Sequence, residues 1–219
     1  MIIIITIIAL ILVLCTSKNG MSSSKETINL ITPSIRPQNL KQLYSQIKNM
    51  MKKYPNIKIN WIIVHDNKKN IKLFNDDFIQ EYSIYNPKSI KGNAQRNAGF
   101  KKINNGWIYL LDDDTTLVDS PFQLIEEKID KNKIHSFTCN ANNIGDDVEL
   151  SIGNIDSGCF LFHSSLLKDM PFALDDDIGM CCNDGKLAER LSNIAKHQHH
   201  KGYVQFNWNY FSPNSDNIL

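Results

Sequence analysis

The sequence predicts an α/β fold: a mostly parallel sheet flanked by helices, with a smaller region in the C-terminal half. Two observations carry this. Short apolar runs rich in isoleucine alternate with helical apolar stripes between Thr27 and Leu117. The loops between them are short, and strand–helix–strand units joined this way build parallel sheets. The length of 219 residues suffices for one such domain with a real core. Its 24 basic and 23 acidic residues give a net charge of +1 and are spread along the chain. There is no basic stripe, so nucleic acid is not an expected partner.

The elements follow in order. Ile2 to Cys15 is apolar apart from Thr6, a run of 14 residues. That is short of the roughly 17–25 residues that span a bilayer. It fits a signal-peptide core or a short signal-anchor, with a buried element of the fold as the other reading. Residues 17–26 are mostly polar with Gly20 and four serines, as in a linker. The expected organisation is therefore an apolar segment over 1–16, a linker over 17–26 and a domain over 27–219. It implies a membrane anchor through one N-terminal segment, or passage through the secretory pathway.

Thr27–Thr32 is a first strand, stopped by Pro33. Pro37 opens a helix in which Leu40, Leu43, Tyr44, Ile47, Met50 and Met51 share one face. Tyr54-Pro55-Asn56 breaks it. Ile59–Val64 is a second strand, and Phe78–Tyr85 a third, ending at Asn86-Pro87. A helix from Asn93 to Ile103 closes at Asn104-Asn105-Gly106. The strand from Trp107 runs into Asp112. Ser120-Pro-Phe-Gln123 then reads as a capping box with proline at the first helical position.

The strand from Trp107 ends in Asp112, Asp113 and Asp114. Three adjacent carboxylates repel one another and terminate a strand. Either they form a solvated acidic turn or they meet a cation. Mg²⁺ or Mn²⁺ prefers such hard oxygens, with phosphate oxygens completing its shell. Ligands of an open parallel sheet bind beyond the carboxyl ends of its strands. Pro33 and Arg36 follow the first strand, Asp66 the second and the acid cluster the fourth, so all share one edge. Gly92-Asn-Ala-Gln-Arg-Asn97 opens a helix, placing its N-terminus and Arg96 where they can meet negative charge. Taken singly, Arg36 and Arg96 also read as solvated residues and Asp66 as a turn cap.

Four segments together resemble a known family. They are Ile31-Thr-Pro-Ser-Ile-Arg-Pro37, Trp61-Ile-Ile-Val-His-Asp66, Gly92-Asn-Ala-Gln-Arg-Asn-Ala-Gly99 and Ile108-Tyr-Leu-Leu-Asp-Asp-Asp-Thr115. Their order and spacing are similar to GT-A-fold inverting glycosyltransferases, families 2 and 43, the latter including glucuronyltransferases. The resemblance implies a nucleotide-sugar donor, a UDP-sugar foremost, and a Mn²⁺ or Mg²⁺ cofactor. The acid triplet stands where that family has its DxD motif. Asp112 and Asp113 are then contacts to ribose or metal, and Asp114 is the direct metal ligand. Asp66 and Arg36 hold the base, and Arg96 lies near the donor. Pro33, Arg36, Asp66, Arg96, Asn97, Asp112 and Asp113 make up the expected donor set, in a donor half over 27–117.

The acceptor half, over 118–219, is covered more loosely. Ile155-Asp-Ser-Gly-Cys-Phe-Leu-Phe162 reads as a turn into an apolar strand. The resemblance puts Asp156, Ser157 and Gly158 beneath the acceptor, a glycan, lipid or protein hydroxyl. Leu187, Leu191 and Ile194 form a helical stripe with Asp184 at its start. A plain N-cap explains an aspartate there. The resemblance makes it the base that deprotonates the acceptor, although Asn183 replaces the family's usual glutamate. Asp175 and Asp177 are substitutes for that role, within a cluster that otherwise reads as a surface loop. His197-Gln-His-His200 reads as solvated histidines or as a further metal ligand, and Trp208, Tyr210 and Phe211 as core or sugar-stacking residues.

Cys15, Cys139, Cys159, Cys181 and Cys182 include no CxxC pair, so no zinc site is expected. A lumenal domain would allow one disulfide among the last four, and a cytosolic one none. Two rival functions share the acid motif. Asp112-x-Asp114-x-Thr116 also matches the nucleophile segment of haloacid-dehalogenase-type phosphatases. That motif normally opens its domain, whereas here some eighty residues precede it. A non-catalytic nucleotide-sugar-binding domain would keep the donor residues alone. Nucleotidyltransferases have a related fold and use a similar acid pair.

Overall fold

The computed structural model describes residues 25–85, 92–138, 149–152, 154–167 and 183–202. The apolar leader, most of the linker, Pro87, Asp175–Asp177, Trp208, Tyr210, Phe211 and all cysteines except Cys159 lie outside them. Cys159 is buried. No helix among the described residues is long and apolar enough to cross a membrane.

Among the described residues seven strands form one sheet in the order β3-β2-β1-β4-β6-β5-β7. They are β1 (Glu26–Ser34), β2 (Ile57–His65), β3 (Ile79–Ser83), β4 (Trp107–Leu110), β5 (Lys133–Phe137), β6 (Phe160–His163) and β7 (Lys196–His200). All run parallel except β6, which is antiparallel to both β4 and β5. Among the described residues four helices cover the sheet: α1 (Leu40–Lys53), α2 (Asn93–Phe100), α3 (Ser120–Glu126) and α4 (Asn183–Ser192). The expected α/β class is thus the observed one.

Alternation along each strand explains the two layers. Ile28, Leu30, Ile59, Trp61, Ile63, Trp107, Tyr109 and Leu161 face one core with Leu40, Leu43 and Ile47 of α1 and Phe122 of α3. Ile31, Ile108, Leu110, Phe160 and Phe162 face the other, with Phe100 of α2 and Leu187, Ala188 and Leu191 of α4. Tyr44, Met50 and Met51 pack at the border of the first core, as their helical spacing predicts.

Several boundaries differ from expectation. β1 continues through Pro33, which pairs in register with Val64. A proline keeps an extended backbone near a strand end, where one lost donor is tolerated. A short 3-10 turn over Pro37–Asn39 precedes α1. The capping box at Ser120 does not form: Asp119 holds the N-cap position, and its backbone oxygen accepts from Phe122 and Gln123 N–H. The Asp119 carboxylate is turned instead to Lys53. Ile194 falls two residues beyond α4 and is 56% exposed, so it leaves the expected stripe.

The histidine run is not solvated. It forms β7, the edge strand beside β5. His135 Nε2 donates to the Asp130 carbonyl at 2.8 Å, so its Nδ1 accepts from His200 Nε2 at 2.9 Å. Ser136 Oγ lies 2.7 Å from His197 Nε2 and 2.9 Å from His199 Nδ1. Burial pulls His135 and His197 below the ordinary imidazole value, and His200 down to about 4. An imidazole held neutral in the folded chain binds a proton more readily once unfolded. Stability is therefore full above about pH 6.5 and is lost as pH falls toward about 4. Protection factors of the β7 amides should fall as pH drops through that window, and His200→Gln should flatten the response. A pH-independent β7 would refute the neutral pairing.

Candidate active site

The carboxyl ends of β1, β2, β3 and β4 and the start of β6 meet at one rim, as parallel pairing with one reversed strand requires. β1 delivers Pro33 and Ser34 there, followed by Ile35 and Arg36. β4 delivers Leu111 and then the acid triplet. Leu111 N–H donates to Ile31 O at 3.0 Å, carrying the strand pairing to the edge of the cluster.

The three carboxylates do different things. Asp113 is 1% exposed and accepts four hydrogen bonds from the segment after β1. Ile35 and Arg36 N–H reach its Oδ2 at 2.9 and 2.7 Å, and Arg36 Nε and Nη2 reach its Oδ1 at 2.9 and 2.6 Å. Asp114 Oδ2 lies 2.7 Å from Arg36 Nη2. Burial pushes the Asp114 carboxyl up, Arg36 opposes this, and Asp112 and Asp113 add to it. Burial also disfavours charge on Arg36, but its aspartate partners outweigh that and keep it cationic. Asp112 Oδ1 lies 2.5 Å from Arg96 Nη2.

Arg96 links the triplet to α4 of the C-terminal half. It is 4% exposed, and its Nη1 lies 3.7 Å from Asp184 Oδ1. Burial lowers its affinity for a proton, yet Asp112, Asp184 and Asp156 raise it further. Two close approaches set this arrangement. Gly92 has φ +78°, and a Cβ there would meet Pro33 Cβ at 2.8 Å, so α2 starts hard against β1. A Cβ on Gly185 would meet Ile152 Cα at 2.5 Å, so the first turn of α4 is seated on backbone. Pro33 thereby places α2, and Gly185 places Asp184.

The remaining expected residues fall at the same rim. Asp66 N–H donates to Ser34 O at 2.9 Å, while its Oδ1 is buried without a partner. Asn97 follows Arg96 in α2 and is 9% exposed. Asp156 caps a 3-10 turn over Ser157–Cys159 by accepting from Gly158 N–H at 2.9 Å. Tyr109 Oη donates to Gly158 O at 3.0 Å, fixing that turn to β4.

One further residue there, Ser34, was not among those expected. Ser34 and Ser157 each bury a hydroxyl oxygen that has no partner. Such orphans are uncommon in folded chains and mark places where water or ligand completes the bonding. In the sequence Ser34 carried no reading beyond following Pro33, whereas Ser157 was already expected beside Asp156 and Gly158.

In these ion pairs four carboxylates (Asp112, Asp113, Asp114 and Asp184) meet two guanidinium groups, leaving two negative charges over. Among the described residues no group of three or more histidine, cysteine or acidic side chains is arranged to hold a metal ion. The donor set is nevertheless hard oxygen. It fits a divalent ion that takes one or two carboxylates and completes its shell with phosphate and water.

No protein-family model matches the chain, and no curated protein matches it in sequence. Solved structures do match. S. aureus TarS 1–349 aligns with a TM-score of 0.59 at 12% identity, over 82% of this chain and 59% of that one. The longer S. aureus TarS structure gives 0.56 at 11%, over 82% and 36%. The mannosyltransferase PcManGT from Pyrobaculum calidifontis, in complex with GDP-Man and Mn²⁺, gives 0.60 at 10%, over 84% and 57%. This chain thus spans between 36% and 59% of those chains. At such identities the likeness is one of fold: the protein has the mostly parallel α/β fold, of GT-A type, that TarS and this mannosyltransferase share.

Proposed function

We propose that the chain is a metal-dependent glycosyltransferase that moves a sugar from a nucleotide-sugar donor to a hydroxyl with inversion. A UDP-sugar is the donor favoured, by its resemblance to families 2 and 43. The observation that carries the reading is the chain of contacts at one rim. Arg36 holds Asp113 and Asp114, and Arg96 spans from Asp112 to Asp184. The fold shared with a mannosyltransferase bound to GDP-Man and Mn²⁺ supports it.

Asp114, with Asp112 beside it, would hold Mn²⁺ or Mg²⁺, which supplies charge neutralisation for the leaving diphosphate. Asp66 accepts an N–H of the base through its unpartnered oxygen. Arg36 and Arg96 add fixed positive charge beside the donor. Asp184 takes the proton from the acceptor hydroxyl as the new bond to the anomeric carbon forms. The bond from that carbon to the diphosphate breaks on the opposite face, which inverts the centre. Asp156, Ser157 and Gly158 floor the acceptor side. The apolar segment over 1–16 would anchor the domain at a membrane or direct it to the secretory pathway.

The decisive experiment is a screen of nucleotide sugars for hydrolysis or transfer with and without Mn²⁺. Turnover of one donor class only with metal is expected. UDP should raise the melting temperature when Mn²⁺ is present, by roughly 5–10 °C at a hundredfold excess over its Kd. Asp114→Ala should remove that shift. A shift independent of both metal and Asp114 would overturn the metal assignment. Hydrolysis of a phosphomonoester abolished by Asp112→Asn would instead establish the phosphatase.

A further inference from the structure

β3 is an edge strand whose two inward polar residues hold the loop that follows β2. Glu81 has a side chain only 3% exposed. Its carboxylate accepts from Leu73 N–H at 2.9 and 3.0 Å and from Phe74 N–H at 2.8 Å. The same carboxylate lies 3.1 Å from His65 Nε2. Ser83 Oγ accepts from Ile71 N–H at 3.0 Å. Phe74 is then pressed onto the core, stacked on Tyr44 with centroids 5.2 Å apart and tilted on Trp61 at 5.5 Å.

The consequence lies at Asp66. Its N–H is tied to Ser34 O, and the next anchored amide is Lys69, which Asn67 Oδ1 holds at 2.9 Å. Ile71 follows, fixed by Ser83. The loop from Asp66 to Ile71 is therefore a short bridge between two fixed ends. Without the anchors on β3 it would be the start of an irregular segment running to Phe78. His65, the residue before Asp66, is gripped on its backbone as well: its carbonyl accepts from Ile84 N–H at 2.9 Å. A buried carboxylate satisfied by three donors, Leu73 N–H, Phe74 N–H and His65 Nε2, specifies one loop conformation, which apolar cover would not do.

We infer that Glu81 is a positioning residue for nucleobase recognition: through His65 and the strap over residues 71–74 it fixes the Asp66 carboxylate at the rim. The inference rests on the donor reading above. Glu81 touches neither the acid triplet nor Arg96, so it bears on the base and leaves the diphosphate end of the site alone.

The test compares ligands that have a base with one that lacks it. UDP, GDP and inorganic pyrophosphate are titrated calorimetrically, with Mn²⁺, into the full chain and its Glu81→Gln, Glu81→Ala and Ser83→Ala variants. Glu81→Ala should weaken binding of the preferred nucleotide about tenfold and narrow the preference between UDP and GDP. Glu81→Gln and Ser83→Ala, which keep most of the fold's contacts, should give smaller losses in the same direction. Pyrophosphate affinity should stay within about twofold throughout, and donor KM should rise while kcat holds. Nucleotide affinity unchanged in all three variants overturns the inference, as does a parallel loss for pyrophosphate, which marks general destabilisation. A native chain that binds pyrophosphate but neither nucleotide overturns the donor reading itself.

Discussion

Asp184→Asn is expected to lower the turnover of sugar transfer by about 10²–10⁴-fold while leaving the affinity for UDP with Mn²⁺ within about twofold. The first half follows from chemistry. An amide of the same size cannot accept the acceptor proton, and the bond to the anomeric carbon then forms from an unactivated hydroxyl. The second half follows from place. Asp184 stands on α4, lies 3.7 Å from Arg96, and has a side chain 28% exposed. Asp112 grips Arg96 more closely, at 2.5 Å, so the arginine stays in position when Asp184 loses its charge. Kinetics with a saturating donor, set beside calorimetry with UDP, separates the two halves. Transfer at the native rate in Asp184→Asn would remove Asp184 as the base. Equal loss of binding and turnover would make it a donor contact.

What was legible in the sequence, and what was not, has a physical explanation. The runs ending at Pro33, Asp66 and Asp112 are apolar on both faces, so their burial between two helix layers was readable, and with it the common rim. The two strands at the far end of the sheet, β5 and β7, were not. Lys133–Phe137 and Lys196–His200 have no apolar run to betray them, and β7 is held by pairing with β5 and by imidazole and hydroxyl contacts made across strands. The reversal of β6 was equally hidden. Direction is decided by the connection, and the turn capped by Asp156 looks the same before either kind of strand. At Ser120 a local capping signal lost to a tertiary one: the Asp119 carboxylate is drawn to Lys53, and its backbone serves as the cap. The role of Glu81 could not be read because its partners lie 7 to 16 residues away along a loop without periodicity.

The acid triplet shows the same limit in one place, and it leads to the largest effect expected on stability. A DxD-like run invites reading every carboxylate as a ligand. Yet Asp113 has both oxygens engaged by Ile35 and Arg36. Asp113→Ala leaves two backbone N–H groups and a guanidinium facing an empty site. Breaking a fully buried pair costs about 3–5 kcal/mol, because the partner charge is left uncompensated. Here the arginine side chain is 28% exposed and Asp114 remains 2.7 Å away. Solvent and that second carboxylate offset part of the loss, so about 2–4 kcal/mol is expected. Asp113→Asn keeps the shape and one acceptor oxygen and should lose roughly half as much. Urea denaturation without metal measures both. If Asp113 is chiefly a metal ligand, the metal-free chain should tolerate either change, since removing one of three crowded carboxylates relieves repulsion. If it is the clamp that fixes Arg36 and the end of β1, the metal-free chain should already be weakened. Asp114→Ala should then do the reverse, sparing stability and abolishing the metal-dependent response to UDP. Opposite outcomes from adjacent aspartates would divide the triplet into one residue that builds the rim and others that face the donor.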